Sequence, residues 1–134
     1  MAESAVQLVT RWFRGLERGT LSPELCHPEI EIRNWEESPV RGPYHGHEGL
    51  VQWWADFADV IEDARFELQE VIDLGDGRVL TVNKLTGTFR LTGIELVDAI
   101  WGSIITVRDG LIAGAVGYAT PGRAKKAAGL RKPG

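Results

Sequence analysis

This sequence predicts an α+β domain in which a curved antiparallel sheet wraps around amphipathic helices. Three observations predict it. The first sixty residues carry two apolar stripes at helical spacing, both bearing tryptophan, while residues 66–119 read in period two as four strands joined by tight turns. Helices followed by a run of hairpin-linked strands favour an antiparallel α+β arrangement over a doubly wound one. Gly87, Gly102, Gly114 and Gly117 fall in the strand segments and Gly93 between two of them, where glycine permits strong bending.

The first element is a helix over residues 3–18. Val6, Val9, Trp12, Phe13 and Leu16 form one face, with Arg11, Arg14, Glu17 and Arg18 off it. Gly19 ends it. Ser22 as N-cap and Pro23 at the first helical position predict a short second helix, stopped by Pro28. Residues 29–35 alternate and read as a half-buried strand, with Asn34 on the parity of Ile30 and Ile32. Residues 38–49 hold Pro39, Gly42, Pro43, Gly46 and Gly49 and are mostly loop. A strong helix over 47–61 is striped by Leu50, Trp53, Trp54, Phe57, Ala58 and Ile61, with His47 and Glu48 read as its capping turn.

Residues 66–74 form the next strand, and its alternation slips at Gln69 and Glu70, the mark of a bulge. Gly75-Asp76-Gly77 is a hairpin turn, 79–89 a strand, Gly93 a reversal, 94–107 a long strand, Arg108-Asp109-Gly110 a second hairpin turn, and 111–119 the last strand. A short helix over 122–128 closes the fold, and residues 123–134 form a short terminal helix and basic tail on a single domain, 1–134. The strand 94–107 is apolar on both parities, so one face lines the hollow of a cone. The other needs cover, and a second copy of the chain is the economical source, which predicts a homodimer.

The chain has 134 residues, 43% hydrophobic and 25% charged, which suits one domain with an ordinary core. No apolar run is long enough to span a bilayer, and the N-terminus shows no secretory signal, so neither membrane nor export is expected. The lone Cys26 makes no internal disulfide and points to a reducing, cytoplasmic setting. The net charge is −4 even though the tail, with Arg123, Lys125, Lys126, Arg131 and Lys132, has no acid. The acidic body argues against nucleic acid as a partner. His45, His47 and Glu48 form an H-x-H-E string, but it straddles a loop and a helix start, so no metal and no cofactor are expected.

Asp98 stands in the apolar run Leu96-Val97-Asp98-Ala99-Ile100, where burial would raise its pKa, making it the candidate catalytic acid or base. The alternative is an ion-paired acid at a dimer interface. Asn34 is a candidate ligand-orienting amide, or else a structural one holding loop backbone groups. Trp12, Trp54, Phe57 and Trp101 are core residues that also offer an aromatic wall to a small apolar ring-bearing molecule, and Tyr118 carries a hydroxyl at the end of the last strand.

The string from Gly42 to Leu50, GPYHGHEGL, followed by Trp53-Trp54, resembles the loop and helix start of SnoaL-like proteins in the NTF2-like superfamily. VIDLGDGRV at 71–79 is similar to a hairpin of that family, TVRDGLI at 106–112 to its last hairpin, and 123–130 to its C-terminal helix. The resemblance implies an NTF2-like cone, with a curved antiparallel or mixed sheet wrapped around helices as a cystatin-like α+β barrel, usually homodimeric. The superfamily includes ketosteroid isomerase, whose general-base Asp falls on or beside Asn34 here. Its oxyanion-hole Tyr falls on Trp12, and its oxyanion-hole Asp near Gly102 or Ser103. An amide takes no proton at neutral pH, so the isomerase triad is absent. Three readings stand open: a cofactor-independent acid/base enzyme of isomerase, cyclase or hydratase type, a ligand-binding or accessory protein with the same pocket, and a dimeric assembly module.

Overall fold

The structure, a computed structural model, describes residues 3–130. Helix α1 spans Ala5–Glu17. Ser4 caps it by accepting from the Gln7 N–H, while the Gln7 side chain accepts from the Ser4 N–H, which satisfies two donors that the first turn leaves free. The expected short helical element is a single 3₁₀ turn, Pro23–Leu25, with Pro23 at its start. Ser22 takes a left-handed backbone (φ 53°) and makes no side-chain cap, so its predicted capping role does not hold. Strand β1 runs Cys26–Arg33 straight through Pro28. After a loop comes a two-residue strand β2, Tyr44–His45, which sequence alternation is too short to reveal, and helix α2, Gly46–Val60. His45 caps α2 only through its backbone position, and the His47 ring bonds the Cys26 carbonyl instead (2.8 Å), so the histidine capping expectation is corrected.

The remaining strands are β3 (Ile61–Gly75), β4 (Arg78–Phe89), β5 (Glu95–Arg108) and β6 (Leu111–Tyr118), followed by helix α3 (Pro121–Ala127). Strand β3 begins at Ile61 with no intervening loop, and its register shifts between Leu68 and Glu70, where the sequence slip marked a bulge. Asp76 and Gly77 take positive φ at one hairpin and Asp109 and Gly110 at the other, the conformation these two-residue turns need. The sheet order is β2-β1-β6-β5-β4-β3. All pairings are antiparallel except β1 with β6, so the sheet is mixed.

Helix α2 packs against β1 and β2 near one edge of the sheet and against β3 at the other. One helix reaches both edges only because the sheet curls around it. The inner face, α1 and α2 form the main core, with Trp12, Ile30, Leu50, Val79, Ile105 and Ile112 almost wholly buried. The outer face carries its own small cluster of Leu80, Val82 and Ala124, joined by Ile72, Leu74, Tyr118 and Ala128. Thus α3 of the same chain covers β4 and β5 from outside. Part of the cover expected from a second copy therefore comes from the same chain, where Gly102 has no side chain and lets Ala124 of α3 settle on the strand. Arg131 and Lys132 of the expected tail lie outside the described residues.

Candidate functional site

The helices do not fill the concave face completely. An apolar cavity of about 180 Å³ remains between α2, strands β3 to β5 and the loop after β1. Trp53 and Phe57 enter its wall from α2, one helical turn apart and so on one face. Phe66 of β3, Leu85 and Phe89 of β4, and Leu96, Ala99 and Trp101 of β5 complete the sheet side. Trp35, Ser38, Pro39 and Val40 close the loop side, with the Trp35 and Trp101 ring centroids 6.4 Å apart. A smaller hollow of about 20 Å³ continues inward. It shares Asn34, Trp53, Phe66 and Trp101 with the cavity and adds Trp12, Ser103 and Gly117.

Asn34 stands at the junction of the two spaces. Its N–H donates to Arg41 O and its side-chain Nδ2 to Val40 O, each at 2.8 Å, so the structural role foreseen for this amide is met. A backbone carbonyl only accepts, so the Val40 bond fixes which end of the amide is nitrogen. The other end, Oδ1, lies over Gly117, where any Cβ would overlap it. Among the described residues no donor reaches this oxygen. Beneath the hollow, Thr81 and Ser103 share a short hydrogen bond, and Asn83 Nδ2 donates to Thr81 Oγ1 at 3.0 Å. All three are buried, and Asn83 Oδ1 has no partner among the described residues.

The structure sorts the sequence candidates. Asn34, Phe57 and Trp101 line the cavity. Trp12 lines the inner hollow, but its indole N–H is spent on Leu21 O at 3.0 Å. Trp54 does not line the cavity. It sits 100° around the helix from Trp53 and stacks behind the wall on Phe57 and Phe66, at 6.3 and 6.0 Å. Tyr118 points to the outer cluster, since Gly117 and Ala119 hold the inward parity at the end of β6.

Asp98 is the main correction. Its side chain is 64% exposed and pairs with Lys84 Nζ at 2.9 Å, and it lines neither space. Leu85 pairs Ala99 whereas Gly87 pairs Leu96, so β5 holds one extra residue there, and Asp98 takes φ 54°. That bulge turns the side chain out to solvent and removes the burial on which a catalytic role rested. Sequence reading missed Trp35, Ser38, Pro39 and Val40, whose only signal was apolar residues inside a Pro/Gly-rich loop, and it did not select Trp53.

Other titratable groups lie outside the lining. Burial, with Glu24 adding to it, pushes the Cys26 thiol up to about 12, which keeps it protonated and unreactive. Burial and the bond from its hydroxyl to Asp56 raise Tyr44 to about 12. His45 is exposed, 3.8 Å from Glu31. Among the described residues no three His, Cys, Asp or Glu side chains gather as metal ligands, and no helix is long and apolar enough to cross a membrane.

Residues 9–115 match the family model described as a SnoaL-like domain. Among curated proteins none matches this sequence. Solved structures that share its shape include an NTF2-like protein from Burkholderia thailandensis, with TM-score 0.80 at 18% identity over 96% of this chain and 99% of that one. TerC, co-crystallised with polyporic acid, superposes with TM-score 0.71 at 19% identity over 84% and 88%. A SnoaL-like polyketide cyclase from Jannaschia, itself named as putative, gives 0.69 at 17% over 84% and 83%. At such identities the likeness is one of fold. The match to the family model spans most of the chain, and with it this protein belongs to the SnoaL-like domain family.

Proposed function

We propose that this protein binds a compact, apolar, ring-bearing molecule in the concave cavity and does not turn it over by acid/base chemistry. One observation carries the reading: the cavity of about 180 Å³ is walled by aromatic and aliphatic side chains, and among the described residues none of its lining groups titrates. An apolar cavity of roughly 150 Å³ takes a benzene ring, so this one suits one or two small rings packed against Trp53, Phe57, Phe66 and Trp101. That TerC, on the same fold, was co-crystallised with polyporic acid is in keeping with a small-molecule ligand. The acid/base alternative needs a proton-transfer group within about 3 Å of the substrate, and Asp98, its candidate, faces solvent.

Titration calorimetry with benzene- to naphthalene-sized rings tests this. Dissociation constants on the order of 10–500 μM are expected for ligands of this size, and Ala99→Phe, which fills the cavity from β5, abolishes binding while the protein stays folded. No heat from any ring compound up to its solubility contradicts the reading.

The same reading includes a homodimer. The β4–β5 hairpin exposes Leu91 (98%), Ile94, Val97 and Ile100, apolar surface that a second copy would cover. Light scattering that finds a monomer at micromolar concentration overturns that part alone.

A further inference from the structure

Resting on the cavity reading, we infer that the ligand is a ring alcohol or phenol that enters hydroxyl first, with its oxygen in the inner hollow between Asn34 and Ser103. The hollow measures about 20 Å³, room for one oxygen-sized group and little more. It opens from the apolar cavity through Trp53, Phe66 and Trp101, which line both.

Besides the tryptophans, two polar side chains border the hollow, an amide whose free end only accepts and a hydroxyl that can donate. The Val40 bond holds the Asn34 amide so that Oδ1, an acceptor without a partner among the described residues, lies over Gly117. Ser103 is the direct cross-strand partner of Gly117. Directly opposed Cβ positions lie roughly 5 Å apart, and Asn34 Oδ1 occupies the place of the missing one at Gly117. The two groups therefore stand on neighbouring strands at the hollow, at a spacing on the order of what one oxygen can bridge. Ser103 also shares a hydrogen bond with Thr81, in which either hydroxyl can donate; with Asn83 Nδ2 donating to Thr81 Oγ1, we assign the Thr81 hydrogen to Ser103 Oγ, which leaves the Ser103 hydrogen for the hollow. A hydroxyl is the neutral group that donates and accepts through one atom. It gives its hydrogen to Asn34 Oδ1 and takes one from Ser103. A ketone oxygen cannot donate and leaves Asn34 unpaired, so this site differs in kind from a pair of donors set for an oxyanion.

The test compares p-cresol with p-xylene, which carries a methyl group in place of the hydroxyl. Hydrophobic transfer alone favours p-xylene. The inference predicts the reverse, with p-cresol binding about tenfold tighter to the wild type, as two hydrogen bonds of ordinary net strength provide. Ser103→Ala, which leaves the Asn34 loop untouched, narrows the preference severalfold without weakening p-xylene. Gly117→Ala, which displaces Asn34 Oδ1, does the same. Equal or tighter binding of p-xylene to the wild type overturns the hydroxyl site while leaving the cavity reading intact. Failure of both compounds to bind overturns the cavity reading and this inference with it.

Discussion

The two faces of the sheet are built to different standards. Outside, α3 seats on β4 and β5 so closely that a Cβ at Gly102 would stand 2.6 Å from the Ala124 Cβ and 3.3 Å from the Pro121 Cα. Thr120 pins the start of α3 by accepting from the Arg123 N–H, and Lys125 reaches Glu70 of β3 at 3.6 Å. Inside, two helices with three tryptophans among them still leave about 180 Å³ open. Protein interiors normally pack to crystal-like density, and a void of that size costs stability that larger side chains at Ala99 or Ala119 would recover. The small chain packs its outer face tightly under α3 and keeps its inner face hollow. The difference marks the inner face as the working one.

The sharpest way to break this comparison is to make the same enlargement on both faces. Ala124→Leu on the outer face has no space to enter and is expected to destabilise by about 1–3 kcal/mol. Ala99→Leu on the inner face enters the cavity and is expected to stabilise by about 0.5–1 kcal/mol. Urea unfolding measures both, and equal losses at the two positions would remove the contrast.

A smaller effect is expected where α1 meets the edge strand. Leu68 lies on the edge strand next to the bulge, and Glu17 of α1 accepts from its N–H at 2.8 Å while also pairing with Arg14. Burial pushes the Glu17 carboxyl up, but the Arg14 and Leu68 bonds outweigh it and hold the pKa below 4.5. The stability this group contributes is therefore complete above pH 4.5 and is lost as pH falls through the lower, folded-state value. Glu17→Gln is expected to cost about 1 kcal/mol at pH 7. Its penalty relative to wild type, followed by urea unfolding from pH 7 to pH 3, shrinks in acid. A penalty that stays constant or grows would contradict the assigned partners.

The least effect is expected at Asp98. Its exposed carboxylate holds Lys84 above its ordinary pKa by a surface hydrogen bond, and asparagine tolerates the same left-handed backbone. Asp98→Asn is expected to leave the melting temperature and ligand affinity unchanged. A clear loss of binding would return this residue to the site.

Much of the scaffold was legible in the sequence because its signals are local. Asp76-Gly77 and Asp109-Gly110 need positive φ, the stripe of α1 has helical period, and the slip at Gln69 broke a period of two. The site was read less completely because its residues depend on events that leave no periodic trace. A single extra residue at Asp98 reversed the side of one carboxylate. Trp53 and Trp54 are adjacent, chemically identical and 100° apart, and only the docking angle of α2 decides which of them meets the cavity. Asn34 reads from sequence as either a loop-holding or a ligand-facing amide, and the alternatives are close because one end of the group holds Val40 while the other lies over Gly117, which lines the hollow. Ser103, small and polar inside an apolar strand, gains meaning only from Thr81 and Gly117 on the neighbouring strands.

The most direct measurement is a crystal structure of the protein soaked with 4-bromophenol, whose bromine is located by anomalous scattering. The account predicts one strong bromine peak in the concave cavity between Phe57, Leu96 and Trp101, with the ring against Trp53 and the hydroxyl toward Asn34. A cavity without the ligand, with bromine found only on exposed apolar residues such as Leu91 and Ile94, would contradict it.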